Sequence, residues 1–181
     1  SVVTSSFGQK VAKSYGISVE SVLTGFKFIG DRIKHYEETK EKVFEFGYEE
    51  SYGYVLAPFV RDKDSLQALL MVAEMTNYYR LQGKTLDVVY DELQQKHGYH
   101  FDKLFSIYFE GQNGKVKMDS IMSGLREHPL SEVSGVKVSY IEDYKTSKVV
   151  TPNNVLIRKL DLLSSDMIKY YFEDGSTVAI R

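Results

Sequence analysis

The 181-residue sequence has no cysteine, no tryptophan and only three prolines. Without cysteine there is no disulfide and no thiolate metal site, which fits a reducing, cytoplasmic location. Long apolar runs are missing too, since the longest are strand-sized and fall far short of the roughly 20 residues that cross a membrane. No N-terminal stretch has the residue order of a signal peptide. We therefore expect no membrane partner.

Acidic and basic residues are nearly balanced in number. The net charge is -2 and the pI is about 6.1, which gives no electrostatic reason to expect a nucleic-acid or acidic-membrane partner. The four histidines lack a metal-binding spacing, and for His97 and His100 a helix-end or linker role is favoured over a metal. Ordinary hydrophobic and charged fractions of 43% and 27% favour a globular chain of one or two domains.

The first half alternates strand and helix signals, which favours a layered α/β domain. Residues 2–4 and 43–46 have the apolar character of strands, and Ser6 and Gln9 have the spacing of a capping box. Asp64 is placed to cap a long helix. The apolar residues that we expect to face inward along and just after this helix are Leu66, Leu69, Leu70, Ala73 and Leu81.

The pattern changes near residue 99 to that of an α+β domain with an antiparallel sheet. Residues 105–109 alternate as a half-buried strand does, residues 118–125 have a helical period, and residues 146–154 look most like a loop. Further strands are expected at residues 136–140, 168–172 and 177–181. We expect two domains, 1–98 and 99–181. Both ends look cut, so we expect a fragment.

Residues 46–53 carry the most informative chemistry, with the sequence Phe-Gly-Tyr-Glu-Glu-Ser-Tyr-Gly. They follow an apolar segment, a position where ligands gather in open α/β sheets. Glu49 and Ser51 are two residues apart, so in an extended turn both can face one ligand. A carboxylate accepts from two neighbouring sugar hydroxyls, and a serine can donate beside it. The alternative is a solvated acidic turn.

Three motifs in order resemble those of the α-D-phosphohexomutases, in the form typical of the phosphoglucomutase branch. Residues 46–53 match the sugar-binding loop F-G-[FY]-E-E-S-[FY]-G of the family's third domain. Residues 24–30 match T-G-[FW]-K-F-[IF]-G, and residues 61–64 resemble R-[DE]-K-D. The resemblance covers essentially the whole chain, as most of the third domain followed by most of the fourth.

This resemblance implies an enzyme of four domains around one cleft, in which a phosphoserine transfers its phosphate to a hexose phosphate. For the phosphoglucomutase branch, glucose 1-phosphate and glucose 6-phosphate interconvert through a glucose 1,6-bisphosphate intermediate. By the same resemblance Glu49 and Ser51 would hold ring hydroxyls, Thr24 and Gly25 would line the same wall, and Lys63 would reach a phosphate or sugar oxygen.

Other family motifs are missing. The phosphoserine loop T-A-S-H-N-P and the Mg²⁺ loop D-G-D-[GA]-D-R do not occur in these residues. Arg181 is expected to be the first residue of the phosphate-binding loop R-P-S-G-T-E-P. We therefore expect no catalytic residue here, and no activity without the remaining domains of the same chain. The open alternatives are a phosphomannomutase or phosphopentomutase fragment, or a non-catalytic sugar-phosphate binding module.

Overall fold

The computed structural model describes residues 1–181, except for the side chain of Gln112. It divides into two compact units, Ser1–Lys103 and Leu104–Arg181. The elements of the first unit are α1 (Phe7–Ser14), α2 (Phe26–Thr39), β1 (Gly47–Glu49), β2 (Gly53–Val55), α3 (Ser65–Arg80) and α4 (Leu86–His97).

The core of the first unit lies between α2 and the β1–β2 hairpin. One face of α2 is buried against Val55 of β2, with Ile33 and Val55 fully buried. The hairpin is antiparallel and pairs Glu49 with Gly53. Gly47 permits the close packing, because a Cβ there would lie 2.7 Å from Cγ2 of Ile29.

Several local predictions for this unit are wrong. Residues 2–4 form a turn rather than a strand, although the Val2 N–H donates to the Val22 carbonyl at 2.9 Å. Ser6 makes no side-chain cap, and Gln9 instead donates to the Ser21 hydroxyl at 3.1 Å. The strand predicted at residues 43–46 begins only at Gly47, the first residue with a partner strand.

The cap of α3 is confirmed, because the Asp64 carboxylate accepts from the N–H groups of Leu66 and Gln67. The inward orientation of its apolar residues is wrong. No residue of α3 is buried, since only its N-terminal part packs closely on the hairpin. The residues predicted to face inward are all exposed, namely Leu66, Leu69, Leu70, Ala73 and Leu81.

The second unit is an antiparallel sheet with one helix. Its elements are α5 (Gly111–Glu127), β3 (Glu132–Val133), β4 (Val136–Asp143), β5 (Lys148–Val150), β6 (Leu156–Lys159), β7 (Ile168–Phe172) and β8 (Thr177–Ile180). The strand order is β6-β5-β4-β7-β8, with β3 paired to β4. Met122 of α5 joins a core of alternate residues from β4 and β7, including Ile141 and Tyr170.

The helix α5 and the strands β4, β7 and β8 confirm the sequence predictions. One prediction in this unit is wrong, and another is right only in part. Residues 101–110 form no helix or strand, because alternation produces a strand only where a neighbour supplies hydrogen bonds. The segment 146–154 is not a loop throughout, since β5 pairs with β4 and β6 there. An α/β unit thus precedes a sheet unit, but the β layer of the first unit is a single hairpin.

Among the described residues, no helix combines the length and the apolar character needed to cross a membrane.

A buried carboxylate organises the other face of the second sheet. Glu142 on β4 is 7% exposed and accepts from the hydroxyls of Tyr144 at 2.7 Å and Tyr171 at 2.9 Å. Arg158 donates to its second oxygen at 3.2 Å. Burial, together with the bond to Glu142, raises the pKa of Tyr144 and of Tyr171. A phenol is already protonated at neutral pH at its ordinary pKa, and the raised pKa keeps both groups as donors at alkaline pH too.

Replacing Glu142 by alanine should lower the free energy of unfolding by about 2–4 kcal/mol, because two half-buried or buried hydroxyls lose their acceptor. Urea unfolding followed by circular dichroism measures the change. The matched control is Glu132→Ala on the exposed strand β3, which should cost less than about 0.5 kcal/mol. Equal effects of the two substitutions would show that the Glu142 cluster does not stabilise the sheet.

Candidate functional site

The β1–β2 hairpin places Glu49 at the end of β1 and Gly53 opposite it. Residues 50–52 form the turn, in which Tyr52 has a left-handed φ of 61°. A Cβ at Gly53 would lie 3.0 Å from both Cγ and Oε1 of Glu49 and 3.1 Å from Cδ2 of Phe26. The absence of a side chain at Gly53 therefore makes room for the Glu49 carboxylate and for the first residue of α2.

Glu49 is a nearly buried carboxylate, 6% exposed. Its Oε1 accepts from the Ser51 hydroxyl at 2.9 Å and lies 3.3 Å from Nζ of Lys63. The described residues make no hydrogen bond to Oε2, so this oxygen keeps its capacity to accept from a ligand. Ser51 and Lys63 hold the charge in place while one oxygen stays available.

Lys63 lies beside Glu49 in the structure. Its ammonium group contacts Glu49, lies 3.7 Å from Asp62, and lies 5.2 Å from the centroid of the Phe26 ring. The side chain is half exposed. Lys63 can therefore neutralise Glu49 and still present an N–H to a ligand.

Thr24 and Gly25 lie directly before α2, whose first residue packs beside Glu49. Gly25 is the N-cap of α2 with a φ of 122°, a conformation that favours glycine. The hydroxyl oxygen of Thr24 is buried and has no hydrogen-bond partner among the described residues. Such an atom calls for an explanation, and none of the described residues supplies one.

The adjacent carboxylates Glu49 and Glu50 serve different purposes in the structure. Glu50 accepts from the hydroxyls of Ser1 at 2.8 Å and Thr4 at 2.9 Å. Burial alone would raise the pKa of Glu50, but hydrogen bonds from its own backbone and from these hydroxyls outweigh burial, and the pKa is lowered. Glu50 therefore fixes the hairpin to the first residues and is not available beside Glu49.

A shallow recess of about 190 Å³ opens next to the hairpin. Its lining comes from β2, the turn before it and the start of α3, namely Tyr52, Tyr54, Lys63, Asp64 and Ser65. Tyrosine rings, an ammonium group and hydroxyls suit a polar ligand with an apolar face. Arg181 lies in the second unit, directly after β8, and is exposed.

The sequence offered Gln67 only as part of a helix cap with Asp64, and the structure gives it a positioning role as well. Its Oε1 accepts from the backbone N–H groups of both Leu56 at 2.9 Å and Ala57 at 2.8 Å. The Asp64 N–H also donates to the Tyr54 carbonyl at 2.8 Å. These bonds fix the end of β2 to the first turn of α3, so the loop that carries Lys63 is closed on the hairpin. The only sequence signal was the cap-like spacing of Asp64 and Gln67.

No three histidine, aspartate or glutamate side chains among the described residues come together as a metal ion requires. His97 ends α4, and the carbonyl of His100 and its N–H are both bonded to Gln94.

Residues 1–97 match the family described as phosphoglucomutase/phosphomannomutase, alpha/beta/alpha domain III. This match covers more than half of the 181 residues, and the chain belongs to that family.

Named relatives extend the similarity to the whole chain. The chain is 38% identical over all 181 residues to a phosphoglucomutase of Staphylococcus aureus strain MRSA252, of which it covers 32%. It is 37% identical to that of strain N315, again covering 32%, and 36% identical to a phosphoglucomutase of Staphylococcus epidermidis, covering 33%. The chain thus spans about a third of the length of these relatives and belongs to the phosphoglucomutase branch of the family.

Replacing Gln67 by leucine should expose the amides of Leu56 and Ala57 to exchange, because both lose their acceptor. Hydrogen exchange followed by NMR should be faster at these two amides by about fivefold or more. Gln67→Glu keeps an acceptor oxygen at the same place and should retain the protection. Unchanged protection in Gln67→Leu would show that the end of β2 is held by other contacts.

Proposed function

We propose that this chain is part of a phosphoglucomutase, a phosphohexomutase of the isomerase class, that interconverts glucose 1-phosphate and glucose 6-phosphate. Its contribution is the wall of the cleft that binds sugar hydroxyls. The observation that supports this most directly is the Glu49 carboxylate, held through Oε1 by Ser51 and Lys63 while Oε2 has no bond from the described residues. An oriented acceptor beside a serine hydroxyl suits two neighbouring ring hydroxyls.

The remaining site residues take secondary roles in this proposal. Thr24 and Gly25 line the same wall, directly before α2, whose first residue lies beside Gly53. Lys63 donates to the ligand from its half-exposed side chain while it remains paired with Glu49. Arg181 begins a phosphate-binding loop that continues in the longer chain.

Phosphate transfer is assigned to parts of the longer chain outside these residues. There a phosphoserine would donate its phosphate to the hexose phosphate, and the glucose 1,6-bisphosphate so formed would return its other phosphate. The sugar must bind in two orientations, with its phosphate at one end or at the other. The donors and acceptors that hold its hydroxyls must therefore serve both orientations. A carboxylate with a serine hydroxyl has that property, because each ring hydroxyl can both donate and accept.

Enzymes of this class use Mg²⁺, but the residues described here do not form a site for the ion. No suitable cluster of carboxylates or imidazoles is present among them, so we assign the metal to another part of the longer chain.

The relatives' names favour glucose as the sugar, whereas the family itself also includes phosphomannomutases. A cytoplasmic location is part of the same proposal and rests on the lack of cysteine.

In the full-length protein, Glu49→Gln should lower kcat/KM for glucose 1-phosphate by about 10- to 100-fold, because a charged acceptor is replaced by a weaker one. Steady-state kinetics measures the loss. The control Glu45→Gln makes the same chemical change at an exposed position two residues before β1 and should leave kcat/KM unchanged. An active Glu49→Gln protein with wild-type kcat/KM would refute the assignment of Glu49.

The 181-residue chain alone should convert no glucose 1-phosphate in a coupled assay, because it lacks the phosphoserine loop. The full-length protein, assayed at the same molar concentration, is the positive control. Turnover by the 181-residue chain would mean that its own residues perform the phosphate transfer, and would overturn the division of roles proposed here.

A further inference from the structure

Tyr52 has a backbone conformation that its own side chain disfavours. Glu49 pairs with Gly53, so residues 50–52 form a three-residue hairpin loop. Loops of this length commonly end with a residue in the left-handed region, and Tyr52 has a φ of 61°. Glycine or asparagine takes this conformation most easily, whereas a large side chain is uncommon there. The turn alone therefore favours a smaller residue than tyrosine.

The fold makes little use of the Tyr52 side chain. It is 86% exposed, and no described residue forms a hydrogen bond with its hydroxyl or stacks on its ring. The other non-glycine residues with a positive φ in the described chain have smaller or more flexible side chains, namely Lys40, Ser134, Ser147 and Asn154. A costly conformation that no internal contact explains points to a functional role for the side chain.

The Tyr52 ring adjoins the Glu49 cluster. It lines the recess of about 190 Å³ together with Tyr54 and Lys63. Nζ of Lys63 lies 3.3 Å from Oε1 of Glu49, so Lys63 belongs both to the recess and to the cluster. The hydroxyl of Ser51, the residue directly before Tyr52, donates to the same carboxylate oxygen at 2.9 Å. A ligand bound at the carboxylate therefore lies near the exposed ring.

A hexose ring has two kinds of surface, with hydroxyls around its edge and C–H groups on its faces. A carboxylate and a serine hydroxyl bind the edge, whereas a rigid aromatic ring provides apolar area for a face. We propose that Tyr52 is a substrate-binding residue, whose ring packs against the C–H face of the hexose held at Glu49 and Ser51. This inference rests on the proposed function and adds one contact to it.

The test compares two substitutions of Tyr52 in the full-length protein. Tyr52→Asn removes the ring but keeps a residue that tolerates a left-handed φ. Its KM for glucose 1-phosphate should rise by about 5- to 20-fold with kcat within about twofold, because the lost apolar contact is made in the ground state and the transition state alike. Its Tm should not fall, since the strain is relieved. The matched control Tyr52→Phe keeps the ring and should retain both kinetic constants within about twofold.

A wild-type KM in Tyr52→Asn would overturn the proposal. A lower kcat at unchanged KM would overturn it in favour of a turn that only positions Ser51 and Glu49, and a lower Tm would overturn it in favour of a packing contact. Glu49→Gln, measured in parallel, separates this inference from the proposed function. A loss of kcat/KM in Glu49→Gln without one in Tyr52→Asn refutes the Tyr52 contact alone, whereas no loss in either refutes both.

Discussion

The burial of the Glu49 carboxylate is the constraint on which the candidate site depends. A charge removed from water is costly unless donors compensate for the lost solvation. Ser51 and Lys63 supply those donors, one from the hairpin turn and one from the segment before α3. Because both use Oε1, the charge is satisfied without using the second oxygen. The electrostatic requirement of the folded chain and the chemical requirement of the proposed sugar-binding site are met by the same arrangement.

The two glycines of the motif are explained by packing within the protein. In the structure, a side chain at Gly47 would collide with Ile29, and one at Gly53 would crowd Glu49 and Phe26. Both glycines therefore bring α2 against the hairpin. The Phe26 ring lies 5.2 Å from the Lys63 ammonium group, which also pairs with Glu49.

Features with a local cause were predictable from the sequence, and those with a distant partner were not. Asp64 caps α3 through N–H groups two and three residues away, a relation that the spacing contains. Glu49 and Ser51 are equally close in sequence. Lys63 is 14 residues from Glu49, and Gln67 is 10 residues from Ala57. A local sequence pattern therefore predicts neither contact. The prediction of a strand at residues 105–109 is wrong for the same reason, because an alternating apolar pattern does not show which strand would pair with it.

Hydrogen bonds connect the first turn of α3 to the candidate site. Gln67 stands in the first turn of α3 and holds the end of β2, while the Asp64 N–H holds Tyr54 within β2. A displacement of α3 would therefore act on β2, whose Gly53 pairs with Glu49. The position of Glu49 therefore depends on the first turn of α3 as well as on the motif at residues 46–53.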